Sequence, residues 1–461
     1  MPAFFVKTSC IWYNQIMSKE VITRFAPSPT GYLHAGNYRT ALFAYIFARQ
    51  NKGSFLLRIE DTDKERSKKE YEDNIVESLK WLDLEYDEFY RQSERADIYK
   101  KYIKKLIDSG NAYISKETAM ENNRATVIRF RNPNKKVSFN DIIRGHIEFD
   151  TTELGDFVIA KSENEPVFHL AVVIDDAEVG VTHIIRGEDH ISNTPRHILL
   201  YTALGLTIPQ FAHIPLLLSG DHSKLSKRKG ALAITEYKNK GYLPEAIINY
   251  LALLGWHPTD DKELFTIDEL IKDFSIERVQ KGGAIFDENK LLWFNRQYLL
   301  KSSDADFTGK ASIFLPEWLS SKSDIFKRLL PILRDKTHKF SDLTDLFNEN
   351  NELFFVKELP KYNSELLLWK KNPDQKATFE NLNKTKEIIE KMDANNFTAD
   401  TIKNSLWGFA EEKGRGDILW PLRVALTGQE KSPDPFTSAF ILGKAESLTR
   451  IEKACALLNK C

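Results

Sequence analysis

A turn rich in Pro and Gly is the first place in the sequence where residue types and spacing could do chemistry. It reads PSPTGYLHAGN (residues 27–37) and joins a strand-like segment to a helix-like one. Gly31 and Gly36 would let the backbone approach a ligand, and a helix start offers N–H groups to an anion, toward which His34 would be presented. The two glycines have P-loop spacing, but Asn37 and the residue after it replace the required Lys and Ser or Thr. An anion-binding turn and an ordinary strand-to-helix turn both fit this pattern.

A basic stretch, KLSKRKG (residues 224–230), is the second chemical feature. Lys224, Lys227, Arg228 and Lys229 place four cations within six residues. Such a loop could surround a triphosphate and neutralise the charge that develops on phosphates during displacement. A solvated surface could carry the same residues.

Two further clusters lie at the ends of predicted strands. LRIEDTD (residues 57–63) ends in three acids that could bind an ammonium group or a metal, or could cap the next helix through Thr62 or Asp63. IIRGEDH (residues 184–190) places Arg186 directly after a buried strand, where a guanidinium could grip a carboxylate with two hydrogen bonds.

The elements that must position these clusters begin as a βαβ unit. Strand 21–26, helix 37–53 and strand 54–61 favour a parallel sheet with helices on its faces, and ligands of such sheets bind at the carboxyl ends of the strands.

The later segments differ in pattern. Residues 68–109 predict charged amphipathic helices, and residues 126–161 predict short antiparallel strands that interrupt the α/β pattern as an insert would. Residues 167–190 are predicted to return to buried strands, and the chain after Gly241 is predicted to be almost wholly helical.

Composition sets the broad class. A chain of 461 residues suggests about three domains. Its 65 Lys and Arg against 66 Asp and Glu give a net charge of −1, which by itself argues against a large nucleic-acid partner. No apolar run approaches the ~18 residues of a membrane span. The first sixteen residues do not form a convincing signal peptide.

The cysteines lie only at the ends of the chain. Cys10, Cys455 and Cys461 are the only three, which excludes a disulfide framework and indicates a reducing compartment. A cysteine-based zinc site in the middle of the chain is excluded as well.

Taken in order, the motifs resemble those of one family. RFAPSPTGYLHAGN, RTALF, LLRIEDTD, VIRFRNP, VVIDD, RGEDH, NTPR and KLSKRKG are similar to class I aminoacyl-tRNA synthetases of the bacterial glutamyl type. HAGN stands where the class has HIGH, and KLSKR stands where it has KMSKS. The likeness extends from about Val21 to the C-terminus through LGWHP, FDENKLLWFN and KGRGDILWPLRVALTGQEKSPDP.

The resemblance implies a fold class and a domain order. The fold is α/β, with a Rossmann-like parallel-sheet catalytic domain, an inserted α+β domain that binds the acceptor stem, and all-helical stem-contact and anticodon-binding domains. The implied divisions are an N-terminal extension without function (1–19), a split catalytic domain (20–100 and 167–236), the insert (101–166), the stem-contact domain (237–318) and the anticodon-binding region (319–461).

The resemblance also implies a reaction. Glutamate would attack the α-phosphate of ATP, bound with Mg²⁺, and the glutamyl-adenylate would be transferred to the terminal adenosine of tRNA(Glu) in a tRNA-dependent process. The implied protein is a cytoplasmic monomer of protein biosynthesis that does not bind membranes. Whether it also charges tRNA(Gln) is left open.

Residue roles follow from the same resemblance. Lys227 would stabilise the pentavalent α-phosphate with help from Lys224, and His34 would hold ATP. Arg24 would bind the side-chain carboxylate of glutamate, and Glu60 would face its ammonium group. The implied glutamate site comprises Arg24, Ala26, Ser28, Glu60, Phe168 and Arg186. The implied ATP site comprises Pro27, Gly31, His34, Gly36, Asn37, Lys224, Leu225, Ser226, Lys227 and Arg228.

The sequence departs from the family pattern at several places. HAGN lacks the second histidine of HIGH, and Phe168 stands where the family usually has tyrosine, which removes a hydroxyl from the pocket. Many bacterial members carry a zinc knuckle near the stretch that reads AYISKETAM here. Because this stretch has no cysteine, we predict no zinc. We assign no residue of the chain as a metal ligand. The insert is also short between Met120 and Thr126, so its acceptor-stem contacts would differ.

Other interpretations differ in the C-terminal half. Glutaminyl-tRNA synthetases have β-barrel anticodon domains, a truncated paralogue lacks the anticodon region, and a nucleotidylyltransferase would not need Arg415, Arg423 and Lys431 for RNA. Residues 320–461 favour helices instead. A catalytically inactive tRNA-binding paralogue would be expected to have lost His34 or Lys227.

Overall fold

The computed structural model describes residues 20–116, 126–225, 232–321, 323–349 and 351–459. The predicted N-terminal extension lies outside these ranges. The chain forms two compact units: the first holds the described residues up to 238 together with 244–294, and the second holds 239–243 and those from 295 onward.

The strands all lie in the first unit. They are β1 (Ile22–Phe25), β2 (Ser54–Ile59), β3 (Glu88–Arg91), β4 (Ala112–Lys116), β5 (Thr126–Phe130), β6 (Lys136–Asp141), β7 (Gly145–Asp150), β8 (Phe157–Ser162), β9 (Glu165–Pro166), β10 (His183–Gly187), β11 (Gln210–Ile214), β12 (Leu217–Leu218) and β13 (Ala284–Ile285).

Helices alternate with these strands and continue beyond them. They are α1 (Ala35–Gln50), α2 (Lys69–Trp81), α3 (Ala96–Asp108), α4 (Phe168–Glu178), α5 (Thr194–Leu204), α6 (Ile234–Asn239), α7 (Pro244–Leu253), α8 (Ile267–Asp273) and α9 (Glu288–Lys301).

Parallel pairing brings the predicted motifs to one edge of the first unit. Strands β1, β2 and β3 pair in parallel, and so do β10 and β11. The N–H of Thr182 donates to the carbonyl of Ile22 at 2.9 Å, which sets β10 beside β1. The carboxyl ends of β1, β2 and β10 therefore meet, as the βαβ pattern predicts.

The predicted antiparallel strands are confirmed, and one of their hairpins joins the sheet of β10 and β11. Strands β4, β5, β8 and β9 pair antiparallel in that order, and β6 and β7 form a separate hairpin. Strand β6 also pairs in parallel with β11, with Asp141 opposite Phe211. Part of the predicted insert thus extends the sheet that contains Arg186.

The prediction of strands over residues 167–190 is wrong in its first half. Residues 168–178 form the helix α4, and only β10 is a strand. Residues 170–176 are all buried, and residues 170–174 are apolar without interruption, so the segment shows no helical period. A short apolar run of this kind is compatible with either a buried strand or a buried helix, and tertiary packing decides between them.

The core of the first unit lies between α3, α4, α5 and the strands that face them. Its buried members include Tyr99, Phe130, Leu170, Ile198 and Phe211. Burial of large apolar side chains at about 25 cal/mol per Å² is the main stabilising contribution to this packing, which fixes the strand ends that carry the site.

Every regular element of the described residues after 301 is helical, as predicted. These helices are α10 (Asp304–Ala311), α11 (Asp324–Lys336), α12 (Asp342–Leu346), α13 (Phe354–Lys357), α14 (Gln375–Glu390), α15 (Ala399–Lys413), α16 (Arg415–Thr427), α17 (Pro435–Leu442) and α18 (Lys444–Leu458). Helices α14–α18 share a core that includes Leu382, Leu406, Leu422, Phe436 and Ile451. Within the described ranges, no helix combines the length and apolar character needed to cross a membrane.

Candidate active site

A cleft opens at the carboxyl ends of the parallel strands, and most of the predicted site residues line it. Those that do are Arg24, Ala26, Pro27, His34, Gly36, Asn37, Glu60, Phe168, Arg186, Lys224 and Leu225. They come from positions as far apart as 24 and 225, so the fold gathers both the predicted glutamate residues and the predicted ATP residues into one cleft.

The remaining predicted site residues lie elsewhere. Ser28 is exposed and Gly31 is partly buried, and neither is among the residues that line the cleft. Ser226, Lys227 and Arg228 lie outside the described residues.

The start of α1 shows why this turn has its sequence. The N–H of Gly36 donates to Nδ1 of His34 at 3.1 Å, and the N–H of His34 donates to Oδ1 of Asn37 at 3.2 Å. This reciprocal capping fixes the imidazole at the helix N-terminus, where N–H groups and the helix dipole favour anions. A Cβ on Gly36 would lie 3.0 Å from Cε1 of His34, so glycine leaves the ring room to stand there.

The capping bond also determines the proton position on His34. Because Nδ1 accepts from a backbone N–H, the neutral ring carries its proton on Nε2. An Nε2–H at the edge of the cleft is a donor of the kind that a phosphate oxygen accepts.

The floor of the cleft carries an alternating series of buried charges. Nε of Arg24 lies 3.1 Å from Oδ1 of Asp176, Nη1 of Arg58 lies 2.5 Å from the same oxygen, and Nη2 of Arg58 lies 3.1 Å from Oε1 of Glu60. Arg58 is completely buried, and the other three are at most 7% exposed. Asp176 therefore aligns Arg24, and Arg58 aligns Glu60.

Burial and the neighbouring charges compete in setting the pKa values of the two acids. Burial acts to raise the pKa of Asp176, but the charges of Arg24 and Arg58 and their hydrogen bonds outweigh it and hold this pKa below its usual value. Burial dominates at Glu60 and raises its pKa despite Arg58 and Arg24. Asp176 is thus a firmly ionised anchor.

Arg186 stands at the end of β10, inside the strand rather than after it, and is 6% exposed. Burial, and next the nearby charge of Arg24, lower the pKa of Arg186 to about 9. The repulsion between the two guanidinium groups means that a carboxylate bound near both would relieve an existing electrostatic cost.

The acids of LRIEDTD do not act together. Glu60 faces the cleft, whereas Asp61 accepts from the N–H and hydroxyl of Ser93 at 2.8 and 2.6 Å. Asp63 pairs with Arg66 at 2.7 Å on the surface. The alternative in which Thr62 or Asp63 caps the next helix does not hold, because α2 begins at Lys69. Among the described residues, no group of three or more His, Cys, Asp or Glu side chains could hold a metal ion.

The basic stretch starts from an anchored segment. The N–H of Leu225 donates to the carbonyl of Leu217 at 2.8 Å, and Nζ of Lys224 lies 3.0 Å from Oδ2 of Asp189. The first lysine of the stretch is therefore at the mouth of the cleft, and the rest of KLSKRKG follows directly in sequence.

Sequence reasoning missed Arg58 and Asp176 as site residues. Each had a signal: Arg58 is the one charged residue of β2, and Asp176 ends an apolar run. A charged side chain that the chain pattern forces into a core requires a partner. The identity of that partner, 118 positions away in sequence, was not readable from the pattern.

The cleft brings buried arginines, a buried carboxylate and a capped helix N-terminus together at the carboxyl ends of parallel strands. These groups suit a small anionic molecule that also carries an amine. A family profile described as "tRNA synthetases class I (E and Q), catalytic domain" matches residues 20–125 and 115–293, and one described as "Anticodon binding domain" matches residues 306–455. The chain belongs to this family of class I tRNA synthetases for glutamate (E) and glutamine (Q).

Several proteins similar to this chain are glutamate–tRNA ligases. The chain is 43% identical to a glutamate–tRNA ligase of a Sulfurihydrogenibium species, over 88% of this chain and 93% of that protein. It is 42% identical to the glutamate–tRNA ligase of Aquifex aeolicus, over 90% and 94%. A crystal structure of a glutamate tRNA ligase from Elizabethkingia meningosepticum, in complex with its amino acid, matches with a TM-score of 0.83 at 33% identity, over 95% of this chain and all of that one. The predicted family and fold class are confirmed.

Proposed function

We propose that this chain is a glutamate–tRNA ligase that activates L-glutamate with ATP and transfers it to the 3′-terminal adenosine of tRNA(Glu). The observation that carries the proposal is the cleft in which Arg24 and Arg186 stand beside Glu60 and the capped N-terminus of α1. The two similar ligases named above support the same reaction.

The balance of buried charge favours glutamate over glutamine. The cleft and the ion pairs beneath it hold four buried arginines against two buried acids, so the set carries excess positive charge: Arg24, Arg39, Arg58 and Arg186 face Asp176 and Glu60. Free glutamate carries a net charge of −1 and glutamine carries none, so only glutamate reduces this excess. In the proposed binding mode Arg24 takes the side-chain carboxylate, Glu60 faces the ammonium group, and Arg186 lines the amino-acid site.

ATP, bound with Mg²⁺ as the co-substrate, would occupy the His34 side of the cleft. The Nε2–H of His34 and the first N–H groups of α1 suit its phosphates. The α-carboxylate of glutamate attacks the α-phosphorus of ATP. The bond between this phosphorus and the oxygen that bridges it to the β-phosphate breaks, and pyrophosphate leaves. Lys227 would stabilise the charge that develops on the phosphates, with help from Lys224. The 3′-terminal adenosine hydroxyl then attacks the glutamyl carbonyl and releases AMP.

Aminoacylation with ¹⁴C-glutamate on separate tRNA(Glu) and tRNA(Gln) tests the proposal. We expect charging of tRNA(Glu). Charging of neither tRNA would overturn the proposal and favour an inactive tRNA-binding paralogue, and charging of both would identify a relaxed enzyme.

The finer properties are part of the same proposal. We propose a monomer without zinc in the cytoplasm, supported by the family resemblance and by the absence of cysteine between Cys10 and Cys455. Light scattering of the purified chain tests the first property, metal analysis the second and cell fractionation the third; a dimer, stoichiometric zinc or a membrane-enclosed location would contradict them.

A further inference from the structure

Arg186 is held by three buried side chains, and the tautomer of one of them, His213, is fixed by its own partner. Nε of Arg186 donates to Nε2 of His213 at 3.1 Å, Nη1 lies 3.3 Å from Nδ1 of His197, and Nη2 donates to the hydroxyl of Thr194 at 2.8 Å. His213, His197 and Thr194 are at most 1% exposed. The guanidinium is thus oriented through all three of its nitrogen atoms.

An arginine can only donate, so the histidine nitrogen opposite Nε must carry a lone pair. Nδ1 of His213 lies 2.6 Å from Oδ2 of Asp141, and the two side chains are completely buried. A carboxylate accepts, so the His213 proton sits on Nδ1 and the lone pair is on Nε2. Asp141 therefore selects the tautomer of His213 that Arg186 requires.

The carboxylate of Asp141 is itself rigidly placed. Its Oδ1 accepts from the N–H groups of Ile143 and Arg144 at 3.0 and 2.8 Å, and its Oδ2 also accepts from the N–H of His213 at 3.0 Å. Asp141 is the last residue of β6, in the hairpin that joins the sheet of β10 and β11.

We infer that Asp141 and His213 are positioning residues that orient Arg186 for the amino-acid substrate, and that the β6–β7 hairpin of the insert thereby forms part of the glutamate site. The inference rests on the proposed function, which places Arg186 in that site. Neither residue touches the substrate: Asp141 acts on His213, and His213 acts on Arg186.

The proposed relay predicts different effects for closely similar substitutions. Asp141→Asn keeps an oxygen for the N–H groups of Ile143 and Arg144 but presents an amide N–H where Oδ2 faced His213. The imidazole proton then moves to Nε2 and sets donor against donor at Arg186. His213→Leu removes the acceptor. His213→Gln offers a carbonyl oxygen near the position of Nε2, so it restores part of the contact.

The test is pyrophosphate exchange by the full-length enzyme with tRNA(Glu) present, at varied glutamate and varied ATP. We expect Asp141→Asn and His213→Leu to raise the glutamate KM about 10-fold or more while the ATP KM stays within about 2-fold. His213→Gln should fall between wild type and His213→Leu. Adding Asp141→Asn to His213→Leu should change the glutamate KM no further, because Asp141 acts through His213.

A matched control lies in the same segment. Asp156 also accepts a backbone N–H, from Asn132 at 2.8 Å, and a side-chain donor, Tyr113, at 2.9 Å, but it does not contact Arg186 or His213. Asp156→Asn should leave the glutamate KM unchanged.

Three results would overturn the relay: a glutamate KM for Asp141→Asn equal to that of Asp156→Asn, additive effects in the double variant, or equal KM values for His213→Gln and His213→Leu. The last comparison decides if Asp141→Asn does not fold. Arg186→Gln separates this inference from the function on which it rests. If Arg186→Gln leaves the glutamate KM unchanged, the proposed role of Arg186 fails; if it raises the KM and Asp141→Asn does not, only the relay fails.

Discussion

Arg24 illustrates how a single residue combines structural and chemical roles. It forms an ion pair with Asp176 at 3.1 Å, which aligns its guanidinium group. Its charge also repels Arg186 and contributes to the lowered pKa of that residue. A substrate carboxylate near both arginines would be bound by charges that the fold has already placed and desolvated, so little reorganisation accompanies binding.

Replacing Arg24 with Ala should raise the glutamate KM about 30-fold or more, because a carboxylate would be left without its charged donor. The same variant leaves Asp176 with Arg58 as its partner, so the fold should survive. Steady-state aminoacylation at varied glutamate measures the effect, with circular dichroism to verify folding. An unchanged KM would remove Arg24 from the glutamate site.

Replacing Lys227 with Ala should lower the rate of adenylate formation about 100-fold or more while glutamate binding changes little. The reason is that the lysine is expected to act on charge that develops only in the transition state. Pyrophosphate exchange with tRNA present measures the rate, and equilibrium dialysis measures glutamate binding. Equal losses in both quantities would contradict the assignment.

At the scale of elements, the N-terminus of α1 joins a capping role to a binding role in one imidazole. Nδ1 of His34 caps the helix, and the neutral ring, which lines the cleft, carries its donor proton on Nε2. Two substitutions separate these roles, since asparagine is a good N-cap but has no donor in the place of Nε2.

We expect His34→Asn to keep the thermal stability of the protein and to lower the rate of adenylate formation. His34→Ala should lower that rate and also cost about 1 kcal/mol of stability. Thermal melts and pyrophosphate exchange check the two effects. Equal melting temperatures for the two variants would contradict the capping role.

Helix α4 shows the limit of pattern reasoning at this scale. Its residues 170–176 are buried all round, so its sequence carries no period and predicts a strand as well as a helix. The amphipathic helices α2 and α3 and the hairpin strands β6 and β7 have one exposed face, and their patterns predicted them correctly.

At the scale of the whole molecule, the net charge of −1 is a poor guide to the partner. The helical unit matches an anticodon-binding domain although acids and bases nearly cancel over the chain. Recognition of a polyanion depends on local groups of cations. The net charge does not reveal these groups, because acids elsewhere in the chain cancel their charge.

Partly buried histidines predict how stability depends on pH. Burial and nearby arginines lower the pKa values of His169 and His190 to about 4, against about 6.5 in an unfolded chain. Between these values the unfolded state binds more protons, so the free energy of unfolding should fall as the pH drops from about 6.5 to 4. Glu60, whose pKa is raised, acts in the opposite direction but is one group against several.

Melting temperatures measured from pH 7.5 to 4.5 check this dependence. His169→Gln should flatten it, and the exposed His146→Gln should not. The same dependence of melting temperature on pH in both variants would contradict the assignment of this dependence to partly buried histidines.

The sequence by itself determined the family, the order of most elements and about half of the residues that line the cleft, because turn chemistry, local periodicity and short motifs are encoded by neighbours in the chain. Only the tertiary structure decided that Asp176 aligns Arg24, that Arg58 aligns Glu60, and that Asp141 reaches Arg186 through His213. These partners lie up to 152 positions apart. A charged residue in a buried segment can be recognised from the sequence, and it requires a counter-charge. Which residue supplies the counter-charge depends on the packing of helices and strands.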